Sequence, residues 1–283
     1  METVMTNVSM PAAEPGAPGV PPQIAVERVY KQFGGDGQKI VALKDINLSI
    51  AAGEFVCLLG PSGCGKSTLL NAIAGFSPPS SGSITVDGQP VHAPGPDRGM
   101  VFQEYALFPW MTVARNIAFG LEIKGLSQSE IDQRVAPLME KLHLSDFRDR
   151  YPKDLSGGMR QRVAIARILA LDSPIMLMDE PFGALDALTR RTLQDELLRI
   201  WDEYRKTIVF VTHSIEESIY LADRIVVLTY RPGTIKADLR VNLPRPRETS
   251  LSTFNEMKRD LAELVMEEQR RFAADEIRTV TAD

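Results

Sequence analysis

EFVCLLGPSGCGKSTLLNAIAG, residues 54–75, sets a short apolar strand, a glycine loop and a helix in immediate succession. Residues 54–59 read as a buried strand bounded by Gly53 and Gly60, and residues 67–74 as a helix stopped by Gly75. The loop between them, GPSGCGKST at residues 60–68, fits GxxxxGK(S/T) in the strand–loop–helix setting that this pattern requires. Gly60, Gly63 and Gly65 lack a Cβ, so the loop with Pro61, Ser62, Cys64 and Thr68 is expected to turn successive N–H groups inward toward phosphate oxygens. The start of the helix adds the positive end of its dipole. Lys66 is then placed to reach the β and γ phosphates of ATP, and the Ser67 hydroxyl to ligate magnesium.

Outward from this stretch lie two more apolar runs that end in chemistry. IMLM at residues 175–178 suits a strand covered on both faces, and Asp179 and Glu180 emerge at its carboxyl end, where open α/β sheets bind ligands. Pro181 stops it from continuing. Asp179 is expected in the magnesium shell, with Glu180 orienting or deprotonating an attacking water. TIVFVT at residues 207–212 is the second run, and His213 follows it. His213 is a candidate to donate to the γ phosphate; His92, in a Pro/Gly-rich loop, and His143, in a helical stretch, have no ligand partner at metal spacing and read as structural.

The ordered set of GPSGCGKST, Gln103, LSGGM at 155–159, IMLMDEP at 175–181, FGALD at 182–186 and THS at 212–214 resembles the ATP-binding subunit of an ABC transporter over roughly residues 24–247. The resemblance implies an α/β P-loop NTPase cassette with a RecA-like core, an antiparallel β portion and an inserted helical lobe. It implies that Gln103 contacts magnesium and the attacking water and senses a permease. Ser156, Gly157 and Gly158 would cap the γ phosphate of ATP held by a second copy, and Asp186 would sit at the seam between copies. The resemblance further implies that adenine would stack on an aromatic residue upstream of the loop, for which Phe33 is the choice and Tyr30 the near rival. PGPDRG at 94–99, LFPW at 107–110, RPG at 231–233 and LPRPR at 243–247 resemble the nitrate/sulfonate/taurine-type import subunits. That implies a bacterial importer, a two-copy permease, an extracytoplasmic solute-binding protein, and a peripheral place on the cytoplasmic face of the inner membrane. Ser214 departs from the family's usual aspartate after the histidine.

The residues explain independently why LSGGM should act on another copy. Ser156 and the two glycines open a segment with Met159, Val163, Ile165, Ala166, Leu169 and Ala170 at helical spacing, a second helix start suited to an anion. One ATP already has its cradle at residues 60–68. A second anion-binding start on a separate lobe therefore suggests a head-to-tail pair with twofold closure.

Bulk properties agree with a globular ATPase subunit. The chain has 283 residues, 44% of them hydrophobic, and a net charge of −5 that gives no general drive toward nucleic acid. No stretch approaches 18 consecutive apolar residues, and the amino terminus lacks a basic segment followed by an apolar one, so neither a membrane span nor export is expected. Cys57 and Cys64 fall in no metal or redox pattern, and a loop thiol at Cys64 is expected to react with alkylating reagents. Residues 1–23 are expected to be a disordered Pro/Ala/Gly-rich tail, 24–250 the ATP-binding domain with its helical lobe at about 104–170, and 251–283 an amphipathic helix and tail. Alternating apolar positions at 24–29 and 41–50, broken by GGDG at 34–37, read as the antiparallel portion. YALFPWM at 105–111 reads either as a docking surface or as lobe core. The face formed by Phe254, Met257, Leu261, Leu264, Val265 and Phe272 suits a helix packed on its own domain, with a regulatory or docking element as the alternative.

Overall fold

The computed structural model describes residues 21–34 and 39–280. Residues 1–20 of the tail expected at 1–23, and most of the GGDG turn, lie outside them. Strands β1 (Ile24–Phe33), β2 (Ile40–Ile50), β3 (Phe55–Leu59), β4 (Ser81–Val86), β5 (Gln89–Pro90) and β6 (Arg98–Val101) come first, with helix α1 (Lys66–Ala74) after β3. Then follow α2 (Val113–Ile123), α3 (Gln128–Lys141), α4 (Gly157–Leu171), β7 (Ile175–Asp179), α5 (Ala187–Tyr204), β8 (Thr207–Thr212) and α6 (Ile215–Leu221). Strands β9 (Arg224–Leu228) and β10 (Ile235–Arg240) precede the last helix, α7 (Ser252–Val280).

Two sheets result. An antiparallel one runs β2-β1-β4-β5, and a six-stranded one runs β10-β9-β3-β8-β7-β6, parallel except for β10. The apolar runs of β3, β7, β8 and β9 are explained by burial on both faces. Phe55, Cys57, Leu59, Met176, Met178 and Phe210 join a cluster with α2 to α7, while their alternates Val56, Leu58, Leu177 and Val209 join a second cluster with α1 and the antiparallel sheet. The order β3-β8-β7 is what builds the site. Leu59 pairs with Thr212 and Asp179 with Val211, so the loops leaving these three strands emerge side by side at one edge.

The antiparallel portion is larger than the alternation at 24–29 and 41–50 suggested. The hairpin of β4 and β5 adds to it, closed at Asp87 and Gly88, whose φ angles of 47° and 73° are those of a primed two-residue turn. Within 104–170, residues 104–112 form turns rather than helix, and His143 lies past the end of α3 in a left-handed turn (φ 54°), not in a helix as expected. Helix α7 buries Phe254, Met257, Leu261 and Val265 in the same cluster that holds the lobe helices. No helix among the described residues is long and apolar enough to cross a membrane.

Candidate functional site

The loop between β3 and α1 closes tightly on itself. Gly63 and Gly65 adopt φ of 73° and 99°, and a Cβ at Gly65 would lie 2.7 Å from the Leu43 side chain and 3.0 Å from the Ala42 carbonyl. Only glycine meets both demands there. Lys66 is 5% exposed. Its ammonium donates to the carbonyls of Gly60 at 2.8 Å and Pro61 at 2.9 Å, which holds a desolvated cation under the loop. The expectation for Cys64 is corrected. Its side chain is fully buried in the cluster with Leu43 and Leu69, and burial pushes the thiol above its ordinary value, so the loop shields it from reagents and it can offer the cradle only its backbone.

At the ends of β7 and β8 the polar side chains meet. Ser67 Oγ donates to Asp179 Oδ1 at 2.8 Å. Burial raises the Asp179 carboxyl above its usual value, opposed by the Ser67 hydrogen bond. Glu180 takes the left-handed region (φ 43°), unusual for its residue type, and its N–H donates to the Val211 carbonyl at 3.0 Å. This bend directs the carboxylate toward His213, whose Nδ1 lies 3.0 Å from Glu180 Oε2. A cavity of about 30 Å³ lies beside Glu180, His213, Thr212 and Gly183, room for one or two water molecules. Behind it, Glu217 is buried; Gln194 donates to its Oε1 at 2.9 Å and the Thr212 hydroxyl to Oε2. The Ser214 hydroxyl accepts the Glu217 N–H at 3.3 Å, so serine caps α6 at the position where aspartate was expected.

A larger cavity of about 380 Å³ opens above the glycine loop, walled by Phe33, Ile40, Ser62, Thr68, Glu180 and Arg231 among others. Phe33 is 45% exposed, and Lys31 Nζ sits 5.2 Å from its ring centre. Tyr30 is not in this wall, so of the two aromatic candidates Phe33 alone faces the cavity. The other expected residues stand elsewhere. Gln103 is exposed in the turn after β6, Ser156 caps α4 by accepting the Met159 N–H, Gly157 and Gly158 begin that helix, and Asp186 caps α5. The Thr189 N–H donated to Asp186 holds its carboxyl below the usual range. None of these five borders the cavity.

Three residues in these arrangements carried no role in the sequence reading. Arg231 was part of a family string only. Glu217 follows Glu216 in α6, and nothing in that acidic pair signals that the second of them is buried. Asn116 is fully buried in α2, where its Nδ2 donates to the carbonyls of Phe108, Met111 and Thr112 and its Oδ1 accepts the Phe108 N–H at 2.9 Å. Arg167 Nη2 donates to the same Oδ1 at 2.7 Å, and Nη1 to the Ala106 carbonyl. The two readings of 105–111 thus divide by residue. Leu107 packs on the core and Phe108 on Phe119, while Trp110 stands 70% exposed.

Ser67 and Asp179 supply two hard oxygens, and no group of three His, Cys, Asp or Glu side chains fit to hold a metal occurs among the described residues. Such a sparse set suits magnesium, which takes most of its ligands from water and phosphate.

Comparison with known proteins gives consistent matches. A model of the ABC transporter family matches residues 43–183. The nitrate import ATP-binding protein NrtD of Synechocystis is 50% identical over 237 residues, 84% of this chain and 89% of that protein. The aliphatic sulfonates import ATP-binding protein SsuB of Bacillus cereus is 44% identical over 236 residues, 83% of this chain and 93% of that protein. Among solved structures, the dimeric post-hydrolysis state of the ATP-binding cassette MJ0796 bound to ADP and Pi superposes with a TM-score of 0.69 at 33% identity, covering 78% of this chain and all of that one.

Proposed function

Because this chain belongs to the ABC transporter family, we propose that it is the ATP-hydrolysing subunit of a bacterial importer for a small anionic or organic solute of the nitrate, sulfonate or taurine kind. The observation that carries the reading is the meeting of Ser67 with Asp179 and of Glu180 with His213 beside the glycine loop. ATP lies with its phosphates on the N–H groups of residues 60–68 and adenine against Phe33. Lys66 turns from the loop carbonyls to the β and γ phosphates. Ser67 and Asp179, together with Gln103, would hold magnesium, which would supply neutralisation of the phosphate charge. Glu180 accepts a proton from water as the water oxygen attacks the γ phosphorus, the bond to the β-phosphate oxygen breaks, and ADP leaves. His213 holds the Glu180 carboxylate in line through Nδ1.

Ser156, Gly157 and Gly158 close the γ-phosphate side of the site from a second copy, with Asp186 between the two sites. The solute's path belongs to a partner permease, served by an extracytoplasmic solute-binding protein, and this chain sits peripherally on the cytoplasmic face. Nucleic acid has no part in it. Glu180→Gln is expected to cut phosphate release by about 10²- to 10⁴-fold while ATP still binds. Phosphate release at the unmodified rate would remove Glu180 from the role of base, and purification of that variant with ATP from native membranes should bring a multi-span permease with it.

A further inference from the structure

We infer that Arg231 is a phosphate-contacting residue of the nucleotide site, held there by the carboxyl-terminal helix through Glu268. The inference deepens the function proposed above and rests on it. Arg231 belongs to the wall of the 380 Å³ cavity, between Gly63 and the strand edge that carries Phe33 and Ile40. Its guanidinium lies flat over Gly63: Nε donates to the Gly63 carbonyl at 3.4 Å, and Nη2 would be 3.4 Å from a Cβ on that residue. Among the described residues, no carboxylate pairs with it.

A guanidinium has five N–H groups in a rigid fork, and here Nε is engaged weakly and the guanidinium carbon lies 5.8 Å from the Tyr230 ring centre, while the side chain as a whole is exposed beside a loop of N–H donors and a buried ammonium. The charged side chains of that wall are Lys66, Arg231 and Glu180, two positive and one negative. A polyanion in the cavity is the partner that such a fork fits, through charge-assisted bonds to phosphate oxygens.

The backbone around Arg231 is fixed from both sides. Gly233 N–H donates to Ala42 and Lys44 N–H to Gly233, each at 2.9 Å, which ties the hairpin to β2. A Cβ on Gly233 would fall 2.2 Å from the Cys64 carbonyl, so glycine there is what lets the hairpin press against the glycine loop. On the other side, the Tyr230 N–H donates to Glu268 Oε2 at 2.9 Å, and Glu268, 1% exposed on α7, also accepts from Lys236 at 2.7 Å. Phe272 of α7 meets the Tyr230 ring edge-on at 5.5 Å. Helix α7 therefore bears on the nucleotide cavity through one residue step, Glu268 to Tyr230 to Arg231.

The test is titration of the full chain with a fluorescent ATP analogue, with ATP and ADP as competitors. Arg231→Gln keeps an N–H for the Gly63 carbonyl but has no charge, so it separates a phosphate contact from a mere brace. We expect Kd for both nucleotides to rise by about 5- to 30-fold in Arg231→Gln, the scale of one lost charge-assisted contact, with Arg231→Lys between. Glu268→Gln should raise KM for ATP in the same direction with a smaller fall in kcat, as a positioning residue does. Arg231→Gln with an unmoved melting temperature and a Kd within twofold of the unmodified chain overturns the assignment and leaves the ATPase reading standing. An unmodified chain that binds no ATP overturns both.

Discussion

Burial lifts the Glu217 carboxyl above its ordinary value of 4.5 against the pull of the Thr212 and Gln194 hydrogen bonds and of Arg190. A carboxylate whose folded value is raised binds its proton more tightly in the native state. Stability from that proton is fully present below 4.5 and is lost as pH rises through the folded value, so at neutral pH the ionised form carries the whole cost. Glu217→Gln has nearly the same shape, and without charge its amide oxygen can accept from Gln194 while its NH2 donates to the Thr212 oxygen. The variant should therefore melt higher than the parent at pH 7.5, with the gap closing as pH falls toward 4.5. Equal gaps at pH 7.5 and pH 5 would mean that desolvation is not the cause. The parent accepts this cost because Glu217 fixes the Thr212 hydroxyl, to which the Ser214 N–H donates at 3.0 Å, and so fixes the backbone on either side of His213.

At the scale of elements, residues 105–111 show how one buried side chain can shape an exposed surface. Asn116 in α2 satisfies backbone groups of Phe108, Met111 and Thr112 at once, and Arg167 in α4 locks its oxygen. Asn116→Ala removes the side-chain partner of the part-buried Phe108 N–H and Met111 carbonyl, at a cost of about 1–3 kcal/mol each, and should lower the melting temperature by several degrees. Trp110 contacts mainly Phe108 and solvent, so Trp110→Ala should leave the melting temperature nearly unchanged and still abolish solute uptake by the assembled transporter. A Trp110→Ala protein that melts as low as Asn116→Ala would make the tryptophan core rather than surface. The contrast also locates what the sequence conveys. Glycine spacing at 60–68 and the unbroken apolar runs before Asp179 and His213 are local signals tied to backbone geometry, and they reveal the sheet and the side-by-side loops. Asp87-Gly88 was an equally local hairpin signal that the strand reading passed over. Asn116, Arg231 and the burial of Cys64 depend on partners up to 168 residues away or on the direction a loop side chain takes, which only packing decides.

For the whole molecule, the question is why one chain carries two glycine-opened helix starts. The cavity above residues 60–68 has no wall from 155–158, and Ser156 begins α4 on the lobe. If each start serves a different ATP, two copies facing head to tail make two composite sites, each with the cradle of one chain and the Ser156 end of the other. Lys66→Ala destroys a chain's cradle but leaves its Ser156 end sound, and Ser156→Arg does the reverse. Each variant alone therefore has no complete site in its homodimer. In an equal mixture half of the dimers are mixed, and each mixed dimer has one site with both defects and one with neither. Hydrolysis should reappear on mixing, up to about a quarter of the unmodified rate if the sites act independently, and less if both must fire together. Sites completed within a single chain have no such rescue, since every chain in the mixture still carries one broken half. Activity in the mixture no greater than the sum of the separate variants would thus count against the shared site, whereas recovery requires that a phosphate cradle on one chain be closed by Ser156 of another.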